Sequence, residues 1–128
     1  MTSTWSPEQL QRLGASDELE IAVRRADGTL GRWVPIWVVC VGENVFVRTW
    51  QRRPNGWFGD VLRSQRARIR VADVCADVTV TDVGEDSTDL RAAVDNAYRS
   101  KYSRYGDTTV ERMVSDPAAA TTLWLIPE

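Results

Sequence analysis

Histidine is absent from this chain of 128 residues. Its absence removes the Ser–His and Cys–His routes to an activated nucleophile, together with the commonest general base and the commonest metal ligand. Cysteine occurs twice, at Cys40 and Cys75. Both sit in strand-like apolar segments and are read as buried reduced thiols, since a disulfide would need their two strands to be neighbours. There are no cysteine pairs at metal spacing, no phosphate loop and no Gly-x-Ser-x-Gly turn, so no metal site is expected. No apolar run approaches the roughly 20 residues that span a bilayer. The stretch Met1–Glu8 has neither the basic start nor the apolar middle of a secretion signal. A formal charge of −2 sets up no field that would favour nucleic acid. The expectation is a cytoplasmic protein, one domain over residues 1–128, with neither membrane nor nucleic acid as a partner.

What is present is tryptophan, six residues at 5, 33, 37, 50, 57 and 124. Trp33 and Trp124 read as core, while Trp37, Trp50 and Trp57 suggest an aromatic-lined cavity for a flat ligand. The longest apolar stretch is Arg32–Val41. In a strand it places Trp33, Pro35, Trp37, Val39 and Val41 on one face and Val34, Ile36, Val38 and Cys40 on the other. Both faces are apolar, so both must be covered, in a barrel or at a dimer seam. Pro35 has no N–H and marks a bulge or an edge there.

Around it the pattern is regular. Ser6-Pro7-Glu8-Gln9 predicts a capped helix ended by Gly14. Glu18–Arg25 alternates as a strand with Leu19, Ile21 and Val23 inward, and Asp27-Gly28 turns it. A strand over Val45–Trp50 follows the turn Gly42-Glu43-Asn44. The polar basic loop 51–56 leads into a short helix over 57–64. Strands over Arg66–Val71 and Val74–Val83 complete five in a near-continuous antiparallel meander. A longer helix from Ser87 or Asp86 to about Arg104 carries Leu90, Ala93, Val94, Ala97, Tyr98 and Lys101 on one stripe. Thr109–Ser115 predicts another short helix, and Thr121–Ile126 a last strand. The order predicts an α+β fold, an antiparallel barrel with helical plugs.

Two groups of side chains could carry chemistry. Arg48, Arg52 and Arg53 could hold a phosphate or carboxylate, with Thr49 as a hydroxyl donor and Trp50 and Trp57 as flat faces; the alternative is a solvated basic loop. Tyr98, Tyr102 and Tyr105 recur at four and three residues, which is commonly core packing. Without histidine, however, a phenol facing a cavity is a natural general acid, and the charge of Lys101 beside it could lower its pKa.

The segments Asp17–Thr29 and Val34–Val39, with the tail Ala97–Tyr105, Met113-Val114 and Ala120–Pro127, resemble the bacterial family called domain of unknown function 2255. More distantly, the order Arg-x-x-Gly, Val-Pro-Ile-Trp, Trp57 with a short helix and a basic strand is similar to the deazaflavin-dependent nitroreductases. Those belong with the pyridoxamine phosphate oxidase-like flavin-binding split barrels. The resemblance implies a six-stranded antiparallel split β-barrel with an N-terminal helix and a longer C-terminal helix, usually a homodimer, holding deazaflavin or FMN in a groove. Arg25 and Gly28 match the relatives' cofactor-binding hairpin, whereas Ala26 and Asp27 replace its Lys and Ser. On this reading Arg25, Pro35, Ile36, Arg48, Thr49, Trp50, Arg52, Arg53 and Trp57 hold the cofactor. Trp37 and Tyr98 line the substrate pocket, and Tyr102 or Tyr105 donates a proton while a small flat substrate is reduced. The alternatives are a cofactor-free isomerase or cyclase on the same barrel, and a binding module that uses the barrel only to dimerise.

Overall fold

A computed structural model describes residues 4–49, 56–71, 74–84 and 87–128. Six strands, β1 (Glu18–Val23), β2 (Val34–Val41), β3 (Asn44–Val47), β4 (Arg66–Val71), β5 (Val74–Asp82) and β6 (Leu123–Pro127), close into an antiparallel barrel in the order β1-β2-β3-β6-β5-β4. The helices are α1 (Pro7–Ala15), α2 (Trp57–Ser64), α3 (Thr88–Tyr102), α4 (Asp107–Val114) and the single turn α5 (Asp116–Ala119). The fold is α+β, with the N-terminal helix and the longer C-terminal helix that the sequence predicts.

Alternation along the strands fills the barrel. Leu19, Ile21 and Val23 of β1, Ile36 and Val38 of β2, and Val78 and Val80 of β5 all lie in one interior cluster closed by Leu123 and Leu125 of β6. The outer face of β2 and β3 is also covered. Val39 and Phe46 pack there against Val94, Tyr98 and Tyr102 of α3 and Val110, Met113 and Val114 of α4. Helix α3 thus supplies the second cover that the two-faced apolar stretch demands, and a dimer seam is not needed to explain it. Ser6 caps α1 through the expected box with Gln9, and Ser87 caps α3 by accepting the Leu90 N–H.

The meander holds only in part. The sequence predicts β3 beside β4, but β3 pairs with β6, and β4 pairs with β1 and β5. Helix α2 carries the chain from β3 across to β4, and β6 returns to fill the gap between β3 and β5. β3 also stops at Val47, short of the predicted Trp50. Cys75 is exposed on the outer face of β5 and Cys40 is half-buried; both are free thiols. The stripe Arg66, Arg68, Arg70 is the wet face of β4, spanned by cross-strand pairs with Glu128, Asp77 and Glu20.

Candidate functional site

The early end of β3 builds the site. β2 runs on to Val34, whereas its ladder with β3 ends at Val38–Val47. Beyond that point Arg48 and Thr49 swing away from β2. The Thr49 N–H donates to the Thr121 hydroxyl at 3.0 Å, and that hydroxyl lies 2.9 Å from the Thr49 carbonyl. The Arg48 Nε donates to the Thr122 hydroxyl at 2.8 Å. A cavity of about 290 Å³ lies where the strands part. Val34, Pro35, Ile36 and Trp37 of β2 form one wall, Arg48, Thr49 and Trp57 another, and Thr109, Arg112 and Met113 of α4 a third, with Glu18 at the start of β1.

Two phenols from α3 hold β2 apart from its neighbours. By register the next pair after Glu18–Trp37 would be Asp17–Val38. There the Tyr102 oxygen accepts the Val38 N–H at 3.0 Å and lies 2.6 Å from the Asp17 carbonyl and 2.8 Å from that of Val38. A side-chain oxygen occupies the place of a ladder bond, so β1 and β2 separate without orphaning the amide. On the other edge the Tyr98 hydroxyl donates to the Trp37 carbonyl at 3.4 Å and faces the Arg48 backbone amide. Burial holds both phenols protonated well above their ordinary range. The Tyr102 ring stacks on Trp37, with centroids 4.0 Å apart and planes 3° from parallel.

Arg48 is the buried cation of the site, with its side chain fully enclosed. Its Nη1 donates to Asp95 at 2.5 Å and to the Met113 carbonyl at 3.0 Å, while Nη2 has no hydrogen-bond partner. Asp95 also faces Arg91, which pairs in turn with Asp116. The two arginines and two aspartates therefore cancel. An enclosed guanidinium so compensated exerts little net pull on an anion.

The expected site residues separate into groups. Pro35, Ile36, Trp37, Arg48, Thr49 and Trp57 surround the cavity. Arg25 does not reach it, because its guanidinium is spent on Thr29 and the Leu30 carbonyl of its own hairpin. Asp27 likewise turns into that hairpin, accepting from the N–H and hydroxyl of Thr29. None of the three tyrosines lines the cavity. Tyr98 and Tyr102 are buried behind β2, and Tyr105, the most exposed, is bonded to Asp17. The proton-donor geometry expected of Tyr102 is therefore not present, since its oxygen is taken up by backbone groups. Trp50, Arg52 and Arg53 lie outside the described residues. Sequence reasoning missed Asp95, Thr121 and Thr122. A lone arginine at the end of an apolar strand was the available signal, since a buried guanidinium requires a carboxylate and hydroxyls around it. It also missed what Lys101 does. This sole lysine donates to the carbonyls of Leu13 and Val38, and burial lowers its pKa to about 8.

Comparison with known proteins agrees with this architecture. Residues 9–125 match the family described as uncharacterized protein conserved in bacteria, DUF2255, and the chain belongs to that family. No match was found among curated protein sequences. Among solved structures it is similar to a putative 5-nitroimidazole antibiotic resistance protein from Bacteroides thetaiotaomicron, at 14% identity and TM-score 0.60, over 98% of this chain and 81% of that one. It is similar to a FAD-binding protein from Mesorhizobium loti at 14% identity and TM-score 0.58, over 100% and 94%. An F420 reductase is similar at 14% identity and TM-score 0.53, over 92% and 91%. At such identity the likeness shows the fold alone, a six-stranded antiparallel barrel with helices packed on it.

Proposed function

We propose that the cavity at the end of β3 binds the ring of a flavin or deazaflavin and that the protein is a small-molecule oxidoreductase, acting as a homodimer on a small flat substrate. The observation that carries this is the slot itself. A barrel of this type is opened beside β2 by built-in contacts, and the opening is walled by Trp37 and Trp57. Solved proteins of the same fold are named as FAD-binding and as an F420 reductase.

The residues present suit the ring better than they suit a phosphate. Pro35, Ile36 and Trp37 offer a flat apolar wall and Trp57 a second aromatic face. Arg48 is neutralised by Asp95 and Arg25 is tied to its hairpin, so neither is assigned a phosphate. When bound, the group would supply hydride transfer. The protein's part is to fix the ring against β2 and exclude water. Tyr102 is assigned to bracing the strands and not to proton transfer. Native mass spectrometry on protein purified from a deazaflavin-producing host tests the proposal, with titration of FMN and deazaflavin against tryptophan fluorescence. A bound cofactor mass and saturable quenching are expected. A bare protein mass and unchanged fluorescence with both cofactors would overturn it.

A further inference from the structure

The cavity is bordered by a carboxylate that no cation holds. Glu18 opens β1 directly opposite Trp37 of β2, and opposed residues of an antiparallel pair share a face. The next pair, Leu19 and Ile36, points into the barrel, so Glu18 and Trp37 point outward together. Cβ atoms so placed are roughly 5 Å apart, which sets the carboxylate beside the indole. Both residues border the cavity. Glu18 is exposed, and among the described residues its side chain makes no hydrogen bond or ion pair.

The aromatic cluster on that face gives a second observation. Arg48 lies over the Tyr98 ring at 5.5 Å, Lys101 over Tyr102 at 5.2 Å and Arg104 over Tyr105 at 5.0 Å. Trp37 belongs to the same cluster and is a better partner for a cation than any phenol, yet among the described residues it has none. Tyr102 covers one face of the indole, and centroid separations of 4.0, 5.1 and 6.1 Å among the three rings put Tyr105 toward its edge. Among the described residues no ring covers the other face. A π face beside an ionised carboxylate supplies both attractions that hold an organic cation. Of the other charges at the cavity, Arg48 is enclosed and cancelled by Asp95. Arg112 has an interaction of its own, and its charge opposes a cation, so the selectivity is a net one.

We infer that Glu18 and Trp37 make the cavity selective for flat aromatic ligands that carry a cationic nitrogen. The charged nitrogen lies over the indole and against the Glu18 carboxylate. The substrate of the proposed oxidoreductase belongs to this class, and Glu18 is the residue that sets its charge. The inference rests on the cavity being the ligand site proposed above, but not on a redox cofactor being bound there.

The test uses 2-naphthylmethylamine, an ammonium ion at neutral pH, and 2-naphthylmethanol, its neutral isostere. Both are titrated into the intact protein and into Glu18→Gln, by calorimetry and by ¹⁵N–¹H correlation of the indole resonances. The amine should bind at least about fivefold more tightly than the alcohol, a difference of about 1 kcal/mol. Glu18→Gln changes an exposed side chain and leaves the barrel intact. It should weaken the amine alone and bring the ratio to about twofold or less, the share of the indole. The Trp37 indole N–H should move with the amine. Equal affinities, a ratio that survives Glu18→Gln, binding that leaves the Trp37 indole unmoved, or no binding of either compound would each overturn the inference. Selective binding of the amine by protein that ignores FMN and deazaflavin would reject the cofactor proposal and leave this inference standing. Cofactor binding without preference for the amine would do the reverse.

Discussion

Tyr102 shows how much one hydroxyl can determine. Its oxygen stands in for a ladder bond between the start of β1 and the middle of β2, and its ring is the platform for Trp37. Removing the oxygen leaves the Val38 N–H and the Asp17 carbonyl facing a gap with no partner. Tyr102→Phe should therefore destabilise the fold by about 1–3 kcal/mol, read as a shift of the urea midpoint at constant slope. An unchanged midpoint would mean that the strands simply close up and that the phenol is not what keeps them apart. The tyrosine row was visible in the sequence. What it bonds to was not, because a phenol aimed at backbone and one aimed at a cavity have the same spacing along a helix.

At the scale of elements, Lys101 ties three together, reaching from α3 to the last turn of α1 and to β2. It donates to carbonyls, with no carboxylate among its hydrogen-bond partners, and burial lowers its pKa to about 8, against roughly 10.4 in an unfolded chain. Between those values the unfolded chain holds more protons, so this group adds stability as pH rises. Below pH 8 both states are protonated and its desolvation cost is fully present. The Lys101 charge and the Cys40 thiol shift each other's titration, so the comparison is made in a Cys40→Ala background, where the stability of the chain with Lys101 minus that of the chain with Lys101→Met should grow from pH 8 toward pH 10. The slope should fall below the single-proton limit of about 1.4 kcal/mol per pH unit, since the amine is only half enclosed. Chemical denaturation at pH 7.5 and 9.5 measures it, and a flat difference would refute the coupling. The elements themselves were largely legible, from the capping box at Ser6 to the alternation of β1 and the stripe of α3. The end of β3 was not. Val45–Trp50 reads as one strand, and only the side chains of Thr121 and Thr122, more than 70 residues away, turn Arg48 and Thr49 aside.

For the whole molecule, barrel and helices were foreseen, but strand order was not. Alternation tells which face of a strand is apolar and says nothing of which strand lies beside it. β6 contributes Leu123 and Leu125 to the interior, and the Leu125 carbonyl accepts the indole N–H of Trp5. It is the one strand joining β3 to β5. Leu125→Ala should cost about 2–5 kcal/mol and should slow refolding as well as speed unfolding, since closure waits on this strand. Stopped-flow tryptophan fluorescence would show both arms moving; a change confined to unfolding would place closure after the barrier.

That position of β6 also bears on how the protein is made. Synthesis delivers β1 to β5 first, and until residues 123–127 emerge β3 and β5 present open edges that other strands can join. At roughly 5–20 residues per second, the interval between β5 and β6 lasts seconds, long against the formation of a hairpin. The nascent chain spends that time as an open sheet, and shielding by a chaperone matters most then.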